Sequence, residues 1–416
     1  MTTPATLVYR CPDETYPISQ AVHLGRLTSF YPRCRQCVHC NETGTLSSTV
    51  VKMLNETHRR TRPESLFTAE EVSGACLNEL SPQFVRQLAA AFGLYLRRSG
   101  AASEGRVVLA GDGRALAPEL AAAASDGLRW SGWDVVDLGA ASAPVLAGAA
   151  QSLCAAGGLF VGNVRGEANT VSIKLWGPGG RPISAGAGLE EIEELHGQGA
   201  DRPTRVYGGL TRFQADRTYL AGLEGYYHAL RPLRFVIDTG CRPLVGYFRQ
   251  LSATVACEAS LCREPAKTPH AGGLGLIERV RAEQAHFGIW IDGDAEACTL
   301  VDERGETVDP ERLTMLLAGC LLQKQPGGAV VLEEAASAVT EQRLAAAGAC
   351  VVRSGASRAA MHESMSHSAA LFGGGPSGRF WYRRQAPTTD ALETLSLLLT
   401  ALSQSDRHLS ERVAES

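Results

Sequence analysis

The sequence predicts an α/β protein in which three consecutive α/β/α domains follow a small cysteine-rich extension. From residue 106 onward, short runs rich in Val, Leu and Ile alternate with longer helical patterns, which is typical of layered α/β domains. The chain has 416 residues. That length exceeds one ordinary hydrophobic core and suits several domains.

The first α/β domain is expected over residues 66–203. Its strand-like and helical segments alternate as RVVLAG, PELAAAASDGLRWSGW, DVVDLG, VLAGAAQSLCAAG and GLFVGN. The segment RPTRVYGG at 202–209 has the Pro and Gly content of a connector. We therefore place the boundary with the second domain there.

The second domain is expected over residues 204–303 and the third over residues 304–404. The second contains RFVIDTG, the helical IERVRAEQA and the strand-like HFGIWID. In the third, QPGG breaks a helix before GAVVLEE, TEQRLAAAG, ACVVRSG and RAAMHESM. Residues 1–65 would form the extension and its linker, and residues 405–416 a C-terminal tail.

Charge and hydropathy exclude several classes of partner. The formal net charge is −4, so no basic excess indicates binding to nucleic acid or to an anionic membrane. No apolar run is long enough for a membrane span, and the N-terminus lacks a signal-peptide pattern. We expect a soluble cytoplasmic protein whose partners are small molecules or proteins.

Three carboxylates follow an apolar strand at alternate positions, Asp292, Asp294 and Glu296. Residues two apart on an extended segment point the same way, and a hard cation such as Mg²⁺ prefers oxygen ligands. Gly293 allows the chain to bend tightly between them. The loop therefore predicts a divalent-cation site, with a solvated acidic turn as the alternative.

Four of the twelve cysteines lie within the first 40 residues, and two nearby histidines are alternative ligands. Clustered thiolates in a short segment with little apolar content predict a tetrahedral Zn²⁺ site that supplies folding energy. An iron–sulfur cluster uses the same Cys-x2-Cys-x2-Cys spacing, and ordinary reduced thiols are the remaining alternative. The candidate ligands are Cys11, Cys34, Cys37, Cys40, His23 and His39.

Five segments carry a resemblance to a known family: AGDGRALAPEL, SIKLWGPGGRPIS, FVIDTG, IDGDAEACTLVDERGE and FGGGPSGRF. In this order and spacing they resemble the α-D-phosphohexomutase family, which includes phosphomannomutases and phosphoglucomutases, from about residue 66 to about residue 403. The resemblance implies phosphate transfer through a phosphoserine that helps to coordinate Mg²⁺. It also implies a C-terminal phosphate-binding domain, which we expect this chain to lack because it ends at Ser416.

The resemblance breaks at the phosphoserine. Counting back from the segment that matches Lys174 puts the serine position at Val164, which has no hydroxyl to phosphorylate. Arg165 and Gly166 stand where the family has histidine and asparagine. Thr170 and Ser172 are the alternative hydroxyls after a shift in register.

Other family positions are partly retained. Lys174 matches a lysine near the reacting hydroxyl, whereas Glu296 replaces the third aspartate of the metal loop, so we expect weak Mg²⁺ binding. The sugar-recognition loop keeps Ser377, but it has Gly375 and Arg379 in place of glutamate and histidine.

Three further positions complete the comparison with the family motifs. Arg358 takes the place of a third-domain histidine, and we expect Asp112 and Arg114 only to fix a turn.

We therefore predict a catalytically degenerate homologue of the phosphomannomutases and phosphoglucomutases. It would bind a sugar phosphate through Ser377, Arg379 and Arg358, or act as an interaction protein with a partner on the extension. The alternative is an active α-D-phosphohexomutase that uses another nucleophile.

Overall fold

The computed structural model describes residues 8–11, 15–57, 65–76, 79–100, 105–163, 170–199, 204–262, 269–384 and 386–415. The nucleophile position Val164, with Arg165 and Gly166, lies outside these residues. Three mixed sheets with helices packed on them confirm the predicted α/β class. Within the ranges given above, no helix combines the length and hydropathy needed to cross a membrane.

The extension contains two short strands and two helices. The strands pair in antiparallel fashion, and Ser19 caps the first helix by accepting a hydrogen bond from the Val22 N–H. A small apolar cluster centres on Leu27, Cys34 and Leu54. The elements are β1 (Val8–Tyr9), β2 (Ile18–Ser19), α1 (Gln20–Thr28), a 3₁₀ helix (Pro32–Gln36) and α2 (Ser48–Thr57).

The first domain is built on a seven-stranded sheet. Its elements are β3 (Val72–Ala75), α3 (Pro82–Arg98), β4 (Arg106–Gly111), α4 (Ala117–Trp130), β5 (Asp134–Ala140), α5 (Ala143–Ser152), β6 (Gly157–Gly162), β7 (Thr170–Trp176), β8 (Pro182–Ile183), α6 (Leu189–Gln198) and β9 (Leu210–Arg212). The strand order is β3-β7-β6-β4-β5-β9, with β8 paired to β7. The central strands are buried on both faces, which explains their continuous apolar runs. Because β9 pairs with β5, the sheet extends past the predicted boundary at residue 203.

The second domain has a four-stranded sheet in the order β11-β10-β12-β13. Its elements are α7 (Asp216–Ala221), β10 (Arg234–Thr239), α8 (Arg242–Leu251), β11 (Glu258–Leu261), α9 (Pro269–Ala282), β12 (Phe287–Ile291) and β13 (Cys298–Asp302). β12 and β13 form an antiparallel hairpin. The acidic loop is the turn of that hairpin.

The third domain has a five-stranded sheet in the order β15-β14-β16-β17-β18. Its elements are α10 (Pro310–Lys324), β14 (Ala329–Glu333), α11 (Ala338–Ala346), β15 (Cys350–Ser354), α12 (Arg358–His367), β16 (Phe372–Gly374), β17 (Trp381–Arg383), β18 (Pro387–Thr389), α13 (Ala391–Ser403) and α14 (Leu409–Glu415). The predicted tail contains α14, whose buried Leu409 and Val413 belong to the same core as α10 and α13. The tail is therefore part of the domain.

The three domains share one continuous hydrophobic core. Helix α13 is almost entirely buried, and its polar side chains bond across to the second domain. Tyr227 Oη lies 3.0 Å from Ser396 Oγ, and Tyr226 Oη donates to Glu393 Oε1 at 3.0 Å. This packing holds the acidic loop of the second domain against its two neighbours.

Candidate functional site

The acidic loop turns sharply between β12 and β13. The carboxylate of Asp292 closes the turn by accepting a hydrogen bond from the Glu296 N–H at 2.8 Å, and Ala295 has a positive φ of 63°. Asp294 and Glu296 belong to this turn. Both side chains are buried where the three domains meet.

Lys174 on β7 of the first domain meets these two carboxylates. Its Nζ donates to Asp294 Oδ2 at 2.5 Å and to Glu296 Oε2 at 2.6 Å, and it lies 3.9 Å from Glu71 Oε2. The lysine is only 6% exposed. Its ammonium group is therefore a buried cation held between the carboxylates of another domain.

Arg358, the first residue of α12, adds a second cation from the third domain. Its Nη2 lies 3.2 Å from Glu296 Oε1, and its guanidinium carbon lies 4.4 Å from the centre of the Trp176 ring. The side chain is 1% exposed, and within the described ranges Nε and Nη1 have no hydrogen-bond partner. Nearby, Arg379 Nη1 lies 2.7 Å from Glu70 Oε2.

The pKa values of the cluster follow from these contacts. Burial opposes the charged form of Lys174, but Asp294 and Glu296 hold the pKa of its ammonium above the usual value. Burial likewise opposes ionisation of Glu296, but Arg358 and Lys174 lower its pKa to about 2. Burial, reinforced by the nearby Asp294 charge, raises the pKa of Asp292 to about 7. Asp294 and Glu296 are thus paired directly with cations, whereas at Asp292 the Lys174 charge only partly offsets the rise in pKa.

These residues do not fit a Mg²⁺ ion as they stand. Asp294 accepts from the Asn163 N–H and from Lys174, while Glu296 binds Lys174 and Arg358. A metal ion would have to displace both cations before it could use these oxygens. Across the described residues, no three His, Cys, Asp or Glu side chains are arranged to hold a metal ion. Asp294 and Glu296 instead form an ion network with Lys174 and Arg358.

The predicted sugar loop contains a carboxylate that sequence reasoning missed. Ser377 donates both its hydroxyl and its N–H to Glu333 at the end of β14, the latter at 3.0 Å. A Cβ built on Gly375 would lie 2.7 Å from Glu333 Oε2, so the Glu333 side chain occupies the space beside this glycine. The only signal in the sequence was an acidic residue ending a buried strand.

Comparison with known proteins identifies the family. A model of the phosphoglucomutase/phosphomannomutase α/β/α domain I matches residues 64–201, and a model of domain III matches residues 309–416. This chain belongs to the phosphoglucomutase/phosphomannomutase family. The predicted family is therefore confirmed.

Individual relatives agree with the domain matches. Phosphohexose mutases from Xanthomonas campestris are 29% identical over 363 residues, which cover 83% of this chain and 79% of the relative. A phosphomannomutase from Escherichia coli K12 is 27% identical over 369 residues, covering 84% and 79%. Both similarities span most of each chain.

Solved structures support the fold alone. A phosphoglucomutase/phosphomannomutase family protein from Burkholderia thailandensis superposes with a TM-score of 0.74 at 23% identity, covering 82% of this chain and 78% of that one. The phosphoglucomutase pp63/parafusin from Paramecium superposes with a TM-score of 0.68 at 14% identity, covering 86% and 74%.

The hydroxyls next to the family's phosphoserine segment are poorly placed to replace it. Ser172 lies in the middle of β7 between β3 and β6 and is completely buried. Thr170 begins β7, and its carbonyl accepts a hydrogen bond from Arg114 Nη1 at 3.0 Å. Arg114 also donates to the Gly162 carbonyl at 2.6 Å and pairs with Asp112 at 2.5 Å. Arg114, which pairs with Asp112, therefore binds the backbone on either side of residues 163–169.

In the extension, three of the predicted thiol ligands are buried. Cys34, Cys37 and Cys40 are at most 5% exposed, and Cys11 is half-buried. Burial raises the pKa of Cys37 to about 12. Of the eight remaining cysteines, Cys154 and Cys350 are exposed.

The two candidate histidines lie close together on either side of Tyr9. The His23 ring stacks on Tyr9 with centroids 4.3 Å apart, and His39 Nδ1 lies 2.5 Å from Glu42 Oε1. Among the described residues, no three of the predicted ligands are arranged to hold a metal ion, and metal binding by the extension stays a prediction.

Proposed function

We propose that this chain is a degenerate member of its family that binds a sugar phosphate without isomerising it. The observation that carries the proposal is the pairing of Asp294 and Glu296 with Lys174 and Arg358. Phosphoryl transfer relies on a metal ion to neutralise developing charge, and this centre is already neutralised by its own side chains.

The sequence of segment 163–169 supports the same proposal. It reads NVRGEAN and contains no serine, threonine, cysteine or histidine. The phosphoenzyme that the family resemblance implies is a phosphoserine, which needs a hydroxyl group at the reacting position, and this segment has none. Ser172, the nearest serine after the segment, is buried within the sheet.

The polar groups around the ion network suit an anionic, hydroxyl-rich ligand. Arg379 is about a quarter exposed and presents a guanidinium group, which can bind phosphate oxygens in bidentate fashion. Ser377 is exposed, and its hydroxyl lies against the Glu333 carboxylate, which can accept from a sugar hydroxyl. Arg358 contributes two guanidinium nitrogens without a protein partner in the described ranges.

The catalytic half of the proposal is tested by a coupled mutase assay. Glucose 1-phosphate and mannose 1-phosphate are supplied with Mg²⁺ and glucose 1,6-bisphosphate, and a working phosphomannomutase is the positive control. We expect no turnover from this chain. Turnover proportional to its concentration would establish the alternative, an active α-D-phosphohexomutase.

The binding half is tested by calorimetric titration with glucose 6-phosphate and with glucose. We expect binding of the phosphate only, weakened about tenfold or more by Arg379→Met because a charge-assisted bond is lost. Arg217→Met, on an exposed position of α7, is the matched control and should bind normally. Equal binding by both variants would refute the assigned site.

A protein partner for the extension is a second proposal. Several large apolar side chains of the extension are exposed, namely Tyr16, Val22, Phe30, Tyr31 and Met53. A partner captured by the full chain should be lost when residues 1–65 are removed. Capture by the body alone would contradict this role.

A further inference from the structure

We propose that Glu70 is an internal competitor for the phosphate group of the ligand, and that its carboxylate leaves Arg379 when the ligand binds. The inference rests on the proposed function, because it concerns how a sugar phosphate reaches the same site. It goes beyond that function by assigning an autoinhibitory contact to a residue of the first domain. In the protein without ligand, the Glu70 carboxylate holds the position that the phosphate group takes in the complex.

The third domain binds both oxygens of the Glu70 carboxylate. Oε2 forms an ion pair with Arg379 Nη1 at 2.7 Å, and Oε1 accepts a hydrogen bond from the Arg358 N–H at 3.1 Å. Arg358 is the first residue of α12, so its N–H is one of those that have no partner within a helix. A guanidinium group beside a helix N-terminus suits a phosphate group as well as it suits a carboxylate.

The loop that carries Arg379 is fixed to the acidic loop of the second domain. Ala297 and Arg379 form an antiparallel β-bridge. The Cys298 N–H also donates to the Gly378 carbonyl at 3.0 Å. These backbone contacts fix where the Arg379 side chain starts, whatever its guanidinium group binds.

Glu70 lies in a tight turn that precedes β3. The Thr68 N–H donates to the Glu71 carbonyl at 2.8 Å, which closes the turn. The Ala185 N–H donates to the Ala69 carbonyl at 2.8 Å and fixes the turn to the rest of its domain. Since both backbones are held, rotation of the Glu70 side chain is enough to break the ion pair and release Arg379.

The ion pair between Glu70 and Arg379 is more accessible than the network beside it. The two side chains are 20% and 26% exposed, respectively, whereas Lys174 is 7% and Arg358 1% exposed. An anion that enters from solvent therefore reaches Arg379 without separating Lys174 from its carboxylates.

Charge makes Glu70 the group that yields to the ligand. A phosphate monoester carries between about one and two negative charges at neutral pH, and a carboxylate beside the same guanidinium group repels it. Glu296 has its own cations in Lys174 and Arg358. Glu70 shares Arg379 with the ligand, so its carboxylate lowers the affinity for phosphate.

Other contacts hold the first and third domains together when Glu70 is replaced. The Arg358 guanidinium carbon lies 4.4 Å from the centre of the Trp176 ring, and the Ala386 N–H donates to Gln151 Oε1 at 3.0 Å. A neutral side chain at position 70 leaves both contacts in place. Its effect on binding can therefore be measured in a folded protein, which a thermal melt of each variant checks.

The test is calorimetric titration with glucose 6-phosphate of wild type and of Glu70→Gln, which keeps the shape of the side chain and removes its charge. We expect Glu70→Gln to bind at least about fivefold more tightly, which corresponds to the loss of one partly exposed ion pair. Glu119→Gln, at an exposed position of α4, is the matched control and should bind as wild type does. Binding by Glu70→Gln that is equal to or weaker than wild type would overturn the inference.

Two further variants show whether the effect acts through Arg379. Glu70→Ala also removes the charge and should bind as tightly as Glu70→Gln. In an Arg379→Met background, Glu70→Gln should change the affinity by less than about twofold, because the competitor and the ligand no longer share a cation. An undiminished gain in that background would contradict the assigned competition.

The same titrations separate a failure of this inference from a failure of the proposed function. If wild type and Glu70→Gln bind glucose 6-phosphate equally, the proposed binding stands and the competitor role of Glu70 is wrong. If neither protein binds it, the proposed function is wrong and the inference falls with it. Binding by Glu70→Gln alone would support both.

Discussion

The acidic loop and the N-terminal thiol cluster both resemble metal sites in the sequence, but their surroundings differ. Around Asp294 and Glu296, neighbouring domains supply a lysine and an arginine as fixed counter-charges. Around Cys34 and Cys37, the described structure places other cysteines and two histidines but no comparable pair of buried cations. The acidic loop thus has counter-charges within the fold, whereas the described surroundings of the thiol cluster supply no comparable pair.

The difference has a structural cause. The acidic loop lies where three domains meet, so Lys174 and Arg358 reach it from two other domains, on β7 and α12. Removing one charge of such a network strongly destabilises the folded state, because its partner is left buried without compensation. The intact network, by contrast, stabilises the fold little more than well-packed apolar side chains would. The extension is small and has no such neighbours within its own elements.

The largest expected effect is on the extension. If the predicted Zn²⁺ site is occupied, removal of the metal with a strong chelator should unfold the extension locally, because a bound metal contributes folding energy to a segment with a small core. Hydrogen exchange should then become at least about tenfold faster across residues 15–57 and stay unchanged in the three domains. Zinc addition should reverse the change. Equal exchange with and without the chelator would remove the contrast between the two clusters.

The next largest expected effect is on the free energy of unfolding when Lys174, the buried cation of the ion network, is replaced. Lys174→Met leaves Asp294 and Glu296 buried with less compensation, and it should lower the free energy of unfolding by about 3–5 kcal/mol. Lys324→Met, at an exposed position of α10, is the control and should change it by less than about 0.5 kcal/mol. Urea denaturation measures both. Similar losses in the two variants would contradict the stabilising role assigned to the ion pairs of Lys174.

A smaller expected effect is a pH dependence of the free energy of unfolding that arises from the Asp292 carboxyl. Because the pKa of its carboxyl is raised to about 7, the folded chain keeps a proton between pH 4 and 7 that the unfolded chain has released. The free energy of unfolding should therefore fall as pH rises through this window, by at most about 1.4 kcal/mol per pH unit, and level off above it.

Two variants test whether the Asp292 carboxyl causes this pH dependence. Asp292→Asn, a neutral side chain that can still accept from the Glu296 N–H, should abolish this contribution and be the more stable protein at pH 8. Asp406→Asn, at a fully exposed position, should keep the wild-type pH profile. Parallel profiles for Asp292→Asn and wild type between pH 5 and 8 would contradict the assigned pKa.

The sequence predicted the fold because its signals are local. Strands Arg234–Thr239 and Phe287–Ile291 lie within RFVIDTG and HFGIWID, since continuous apolar runs need no knowledge of their neighbours. The pairing of β9 with the first sheet was missed because three exposed residues carry no apolar signal. Helix α14 was missed for a similar reason, being only seven residues long.

The site was predicted residue by residue but not as an arrangement. Asp294, Glu296, Lys174 and Arg358 were all identified, yet their mutual ion pairs depend on how three domains dock. No periodicity in the chain encodes that docking. Glu333 was missed for the same reason, since its proximity to Ser377 arises only when β14 and β16 pair in the sheet.

The most direct measurement is the melting temperature of wild type and of Asp292→Ala as Mg²⁺ is raised to roughly 10 mM. An ion that binds only the folded state stabilises it by RT ln(1 + [L]/Kd), about 2.7 kcal/mol at a hundredfold excess over Kd. With Lys174 and Arg358 already paired to the carboxylates, both proteins should melt at a temperature independent of Mg²⁺. A rise in wild type that is absent in Asp292→Ala would show that the loop still binds the metal and would contradict the account.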